Sequence, residues 1–143
     1  MKYLVGDNYC FACGPQNPVG LHLKIVEETS IIDGDKKSNV YSIFSLPSKY
    51  QGYKNKIHGG IITTILDEML VWVCYLYGYE VITAEINVRF KKSLIPDKEY
   101  KVTGRVVKEK GSLMEAETWI EDKKRNMIAI AKGKMWKVKD LKK

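Results

Sequence analysis

At 143 residues and 45% apolar content, the chain is long enough for one packed core and too apolar to read as disordered. Its formal charge of +7 comes from 24 Lys and Arg against 17 Asp and Glu. These cations mix with acids in Lys98–Glu109 and Glu121–Arg125 instead of forming a stripe, which argues against nucleic acid and leaves a small polyanion as a compatible partner.

Residues 1–19 are expected to form an N-terminal loop. Met1–Tyr9 contains Asp7 and Asn8 and lacks the basic, apolar and small-residue order of a signal peptide. Cys10, Cys13 and Cys74 do not make a disulfide framework and point to a reducing, cytoplasmic location. Cys10-x-x-Cys13 invites a zinc or redox reading. A structural zinc wants four ligands, and the other donors are His22, His58 and the distant Cys74. Gly14-Pro15 opens a turn where a thioredoxin-like site needs a helix. No metal or cofactor is therefore expected, and the two cysteines are read as packing the loop.

Gly20–Glu27 then reads as a strand, with Leu21, Leu23 and Ile25 alternating against His22, Lys24 and Val26. Asp33-Gly34-Asp35 signals a turn, and Asn39–Leu46 reads as a second strand forming a hairpin with the first. After the polar, turn-rich Pro47–Ile57, Gly59–Tyr77 has no period of two and is apolar almost all round, which predicts a buried helix stopped by Gly78. Asp67 and Glu68 at its centre would each cost roughly 2.5–3.5 kcal/mol in a bilayer, so protein and not membrane is expected around it. Strands are expected again at Thr83–Phe90, Glu99–Lys110, Leu113–Glu121 and Asn126–Val138, with a frayed tail over Lys139–Lys143. There is no repeat and no linker, so residues 1–143 are expected to be one domain.

Two strands, one long greasy helix and four more strands with short connections favour antiparallel pairing. Such a helix needs apolar cover, which a curved antiparallel sheet wrapped around it supplies, with a second subunit adding the remainder. The fold expected is α+β, the hotdog arrangement.

His58-Gly59-Gly60 opens this helix. Amide N–H groups at a helix start lack intrahelical acceptors, and the dipole places about half a positive charge there. Glycines let a ligand approach that backbone, so a carbonyl oxygen can be received and an oxyanion stabilised. Asp67 lies eight residues past Gly59, a little over two turns on. A carboxylate in an apolar helix is costly without a partner or a task, and here it can act as general base or attack an acyl carbon. The bland alternative is an acid neutralised by Arg89, Lys91 or Lys92. Glu68 is turned about 100° from Asp67 and is read as a salt-bridge or interface residue. His58 is open to three readings: general base, substrate donor or loop anchor, and satisfied core histidine. Trp72, Tyr75, Tyr77 and Tyr79 line an acyl pocket or, by their helical spacing, belong to the core and interface.

The run His58-Gly59-Gly60-Ile61-Ile62-Thr63-Thr64-Ile65-Leu66-Asp67-Glu68 resembles the signature of the PaaI-like, phenylacetate-pathway branch of hotdog-fold acyl-CoA thioesterases. Gln51-Gly52-Tyr53 before it, Thr83–Phe90 after it, and the Cys10–Gly14 and Asn17–Leu21 lead-in are similar to the same family. The resemblance implies hydrolysis of a small or medium acyl-CoA without a metal, in a homodimer or homotetramer with active sites at the subunit interface. It implies Asp67 as catalytic carboxylate, Gly59 as backbone donor to the thioester carbonyl, and His58 as the histidine that helps position it. It implies Thr83 as the hydroxyl reaching from the partner subunit, and Gly60 as a helix-start contact. Arg89, Lys91 and Lys92 are candidates for the coenzyme A phosphates, since Lys serves phosphate as a point charge. The sequence departs from the family pattern in lacking an Asn a few residues before His58, where only Gln51 and Asn55 stand, and in having Lys91-Lys92-Ser93 where relatives often have proline. A non-catalytic acyl-CoA sensor is the alternative; a buried Asp67 disfavours it.

Overall fold

The structure, a computed structural model, describes residues 2–143. Seven strands and one long helix follow in the order β1 (Lys2–Leu4), β2 (Ile25–Ile32), β3 (Asp35–Phe44), α1 (Gly59–Leu76), β4 (Tyr79–Phe90), β5 (Tyr100–Lys110), β6 (Leu113–Asp122) and β7 (Met127–Asp140). All pairings are antiparallel, in the order β1-β2-β3-β5-β6-β7-β4. The sheet curves around α1, which is the hotdog arrangement.

Side-chain size decides how closely helix and sheet approach. A Cβ on Gly133 of β7 would lie 2.5 Å from Leu70 Cδ1, and one on Gly104 of β5 would lie 3.0 Å from the Met69 carbonyl oxygen. The glycines let Ile65, Leu66, Met69, Leu70 and Val73 press onto the sheet, all fully buried. Each such side chain contributes about 1.5–3 kcal/mol. Thr118 of β6 ties the layers with a hydrogen bond to the Leu66 carbonyl at 3.1 Å.

Several sequence expectations need correction. The helix is not buried all round: Thr63, Thr64, Asp67 and Val71 are half-buried and Tyr75 is 48% exposed, so one stripe of α1 faces away from the sheet. The N-terminal segment is not all loop, because Lys2–Leu4 pairs with Ile25–Glu27. The expected Gly20 strand begins only at Ile25. Leu21 and Leu23 are buried as their alternation predicts, but their N–H groups donate to Phe11 and Ala12 carbonyls of the lead-in, and His22 has φ 55°. The tail is not frayed either: β7 runs to Asp140, the Leu141 N–H donates to the Gly78 carbonyl, and Lys142 Nζ donates to Tyr79 Oη at 2.7 Å. Gly78, at φ +96°, makes the turn that presents that carbonyl.

Strand β4 is the sheet's outer edge beyond β7. Its register shifts between Thr83 and Glu85. Such a bulge changes the inward phase, so Val81 and Thr83 before it, and Ile86 and Val88 after it, are the less exposed positions.

Candidate active site

The start of α1 is organised by His58. It is the N-cap residue, and its Nδ1 accepts the Gly60 N–H at 2.8 Å. A Cβ on Gly60 would sit 3.1 Å from that nitrogen, so glycine is what lets the ring close over the turn. The His58 carbonyl accepts the N–H groups of Ile61 and Ile62. The Gly59 N–H is left without an acceptor among the described residues. One free amide at a helix start, on an exposed glycine, is a site for an anionic or carbonyl oxygen.

This ordering bears on the readings of His58 and Gly60. His58 is exposed, so it is not a core histidine, and it anchors the loop. Because Nδ1 accepts, a neutral ring carries its proton on Nε2, which leaves Nε2–H as the group that can meet a substrate. The Gly60 amide is spent on the cap and is not a free substrate donor.

A cleft of about 800 Å³ opens beside Gly59. Lys56, Lys91 and Lys92 give it a basic rim, and Ile62, Phe90 and Leu94 an apolar wall. The structure thus brings Lys91 and Lys92 to Gly59, whereas Arg89 lies outside the cleft. Gln51 and Asn55 are occupied with each other, Asn55 N–H donating to Gln51 Oε1 at 3.2 Å, and neither lines the cleft. Sequence reasoning passed over Lys56, Tyr53 and Phe90. Phe90 carried a signal in the sequence, since it closes an alternating strand; in the structure it is 51% exposed. The aromatic group of Trp72, Tyr75, Tyr77 and Tyr79 does not line this cleft; Trp72 is buried and packs edge-on against Tyr75.

Asp67 sits on the uncovered stripe of the helix, half-buried, and its Oδ1 accepts the Thr83 hydroxyl at 2.7 Å. Thr83 lies ahead of the β4 bulge and shares its face with Val81, two residues before it. No salt bridge reaches Asp67 among the described residues, so neutralisation by Arg89, Lys91 or Lys92 does not occur. Thr83 meets Asp67 within one chain, where the resemblance has it reach across from a partner. Glu68 makes no salt bridge either; its partners are Trp72 and Cys10.

Gly59 and Asp67 are about 12 Å apart along the axis and about 80° apart around it. Neither Asp67 nor Thr83 lines the Gly59 cleft. One chain therefore presents two half-sites: an electrophile-binding amide, and a carboxylate held by a hydroxyl. Among the thiols, burial pushes Cys13 well above its ordinary range, with the Glu68 carboxylate adding to it, and burial pushes Cys74 up to about 12. Neither is a ready thiolate nucleophile.

A protein with one long helix inside a curved antiparallel sheet is of the hotdog class, and the family comparison narrows it. The Thioesterase superfamily profile matches residues 54–129, from the loop before His58 to within β7. The chain belongs to the thioesterase superfamily. None of the curated proteins matches it. Among solved structures, smu.793 from Streptococcus mutans UA159 bound to acetyl CoA is 18% identical, with a TM-score of 0.70 over 80% of this chain and 90% of that one. The E. coli PaaI protein from the phenylacetic acid degradation operon is 14% identical, TM-score 0.69, over 82% and 81%. A hypothetical thioesterase with coenzyme A from Streptococcus pneumoniae TIGR4 is 17% identical, TM-score 0.70, over 81% and 90%. That protein has also been solved with an Asp and a Thr, sixteen positions apart, each replaced by Ala.

Proposed function

We propose that the protein is an acyl-CoA thioesterase of the PaaI-like branch, working in the cytoplasm as a homodimer or homotetramer. The observation that carries this reading is the Asp67–Thr83 pair at 2.7 Å on the uncovered stripe of the central helix. Sixteen positions separate Asp67 from Thr83, as they separate the Asp and Thr replaced in the Streptococcus pneumoniae protein. The acetyl CoA and coenzyme A held by two neighbours support the ligand class.

The separation of about 12 Å argues that the reacting thioester lies between two copies, since a reacting group must sit within about 3–3.5 Å of its attacker. In this arrangement the Gly59 N–H of one copy holds the thioester carbonyl oxygen and stabilises the oxyanion. Asp67 of the other copy supplies the carboxylate. Thr83 holds Oδ1, leaving Oδ2 to take a proton from the attacking water or to attack the acyl carbon itself. The thiolate of coenzyme A then leaves, its phosphates met by Lys91, Lys92 and Lys56 at the cleft rim, and on the nucleophilic route water then hydrolyses the acyl–Asp67 anhydride to free the carboxylate. The unpaired outer edge of β4 is the natural seam for a second copy, because a long open edge seeks a strand.

The test is thiol release from a panel of acyl-CoAs by wild type and Asp67→Asn. Release by wild type that collapses in the variant supports the enzyme. If neither released thiol while both bound coenzyme A, the protein would be an acyl-CoA sensor.

A further inference from the structure

Glu68 follows Asp67 in the chain but faces the N-terminal loop. Its Oε1 accepts the Trp72 indole N–H at 3.0 Å, and its two oxygens lie 3.7 and 3.8 Å from Cys10 Sγ. Cys10 Sγ also accepts the Cys13 backbone N–H at 3.5 Å. One donor atom from each of Cys10, Cys13 and Glu68 lies within 4.8 Å of the other two, and all three residues are half-buried.

We propose that Cys10, Cys13 and Glu68 form a binding site for a zinc-class divalent cation, which fastens the N-terminal loop to the central helix. The spacing fits. Zinc–sulfur bonds of about 2.3 Å and zinc–oxygen bonds of about 2.0–2.2 Å at a tetrahedral angle place sulfur and oxygen about 3.6 Å apart. The Cys10–Glu68 separations are within a few tenths of an ångström of that edge. Two sulfurs and one carboxylate suit zinc, whereas magnesium and calcium take oxygen donors. The fourth position falls to water or to the second carboxylate oxygen.

The surroundings are those of a held ligand set. The Trp72 indole fixes the carboxylate, and the Cys13 N–H fixes the Cys10 sulfur, as outer contacts orient metal ligands elsewhere. The turn after Cys13 closes so tightly that a Cβ on Gly14 would lie 2.4 Å from the Cys10 nitrogen. Gly6 lies over the site, its Cβ position 3.0 Å from the Trp72 ring and 3.9 Å from Cys13 Sγ. The sequence alone looked for the missing ligand among His22, His58 and Cys74. His22 is instead engaged with the Asn17 carbonyl at 2.6 Å, and the third ligand is Glu68, 58 positions from Cys10.

The test uses the whole chain, stripped with chelator and kept reduced. It is titrated with Zn²⁺ alone against a chromophoric chelator, and with Co²⁺ alone by absorption. One ion per chain is expected, with a thiolate-to-cobalt charge-transfer band and the intense visible bands of a tetrahedral centre. Zn²⁺ should raise Tm. Cys13→Ser should lose the charge-transfer intensity and the Tm response. Trp72→Phe should bind Zn²⁺ about 10–100-fold more weakly, and Glu68→Gln more weakly still. Asp67→Asn should bind like wild type. Should Cys13→Ser fail to fold, the near-isosteric Glu68→Gln carries the test. Two results overturn the proposal: no stoichiometric ion in the reduced protein, or binding that survives Glu68→Gln unchanged.

Discussion

Asp67 and Glu68 are adjacent half-buried carboxylates near the middle of one helix, and their surroundings give them different work. Asp67 faces the stripe the sheet leaves uncovered, with a single hydroxyl on Oδ1 and Oδ2 without a partner among the described residues. Glu68 faces inward to the N-terminal loop, between an indole N–H and two thiols. A turn of about 100° separates a carboxylate open to a second molecule from one closed in by its own chain. The lesson is that the stripe a helix leaves unburied marks its chemistry better than the charge on it.

The sharpest way to break that comparison is to neutralise each acid without changing its shape. Asp67→Asn is expected to lower thiol release from the best acyl-CoA by about 10²–10⁴-fold, the usual worth of a positioned acid or base. Glu68→Gln is expected to stay close to wild type in the same assay at saturating substrate. Equal losses in the two variants would erase the distinction. Thr83→Ala comes next. A hydrogen bond to a charged group is worth about 1.5–3 kcal/mol, so a loss of about 10–100-fold in kcat is expected, with Thr83→Ser restoring most of it. A Thr83→Ala enzyme with unchanged kcat and raised KM would move Thr83 from holding Asp67 to binding substrate.

The legibility of these features in the sequence follows their range. The helix was readable because Gly59–Leu76 breaks the period of two, and the later strands because their turns are marked by Pro96-Asp97, Gly111-Ser112 and Asp122–Arg125. The spacing of His58, Gly59 and Asp67 was readable because it is local, but one chain sets Gly59 and Asp67 about 80° apart around the helix, and Asp67 does not line the Gly59 cleft. What was not readable depends on contacts between distant residues. Thr83 shares the phase of Val81, and a bulge that no residue type announces puts the later Ile86 and Val88 out of step with it, so a Thr in the same chain could not be told from one in a partner. Hydropathy could not show that one helix stripe is uncovered, since the half-buried Val71 is as apolar as its buried neighbours. The strand begins at Ile25, not Gly20, because the amides of Leu21 and Leu23 find carbonyls in the lead-in loop. The pairing of Glu68 with Cys10 spans 58 positions and leaves no local mark.

Two smaller effects sharpen the contrast between the helix start and its middle. His58→Ala removes the side chain that caps the Gly60 N–H. Loss of a cap costs about 1 kcal/mol, which for a chain of this size lowers Tm by about 2–4 °C. The same change frees a second amide beside Gly59, so a fall in kcat larger than the fall in stability would give His58 Nε2–H a direct part in the reaction.

Lys91→Ala and Lys92→Ala should show the smallest effect. An exposed ion pair is worth about 0.2–1 kcal/mol, so each variant is expected to raise KM for acyl-CoA up to about fivefold and leave kcat alone. Added salt should shrink the difference, because exposed charges are screened over about 10 Å at 0.1 M. The decisive comparison is with an acyl-pantetheine thioester, which has the same acyl group and lacks the nucleotide phosphates. If the lysines meet those phosphates, wild type and variants should hydrolyse the truncated substrate alike. A KM difference that persists on it would place Lys91 and Lys92 against the acyl or pantetheine portion, deeper in the cleft and nearer Gly59.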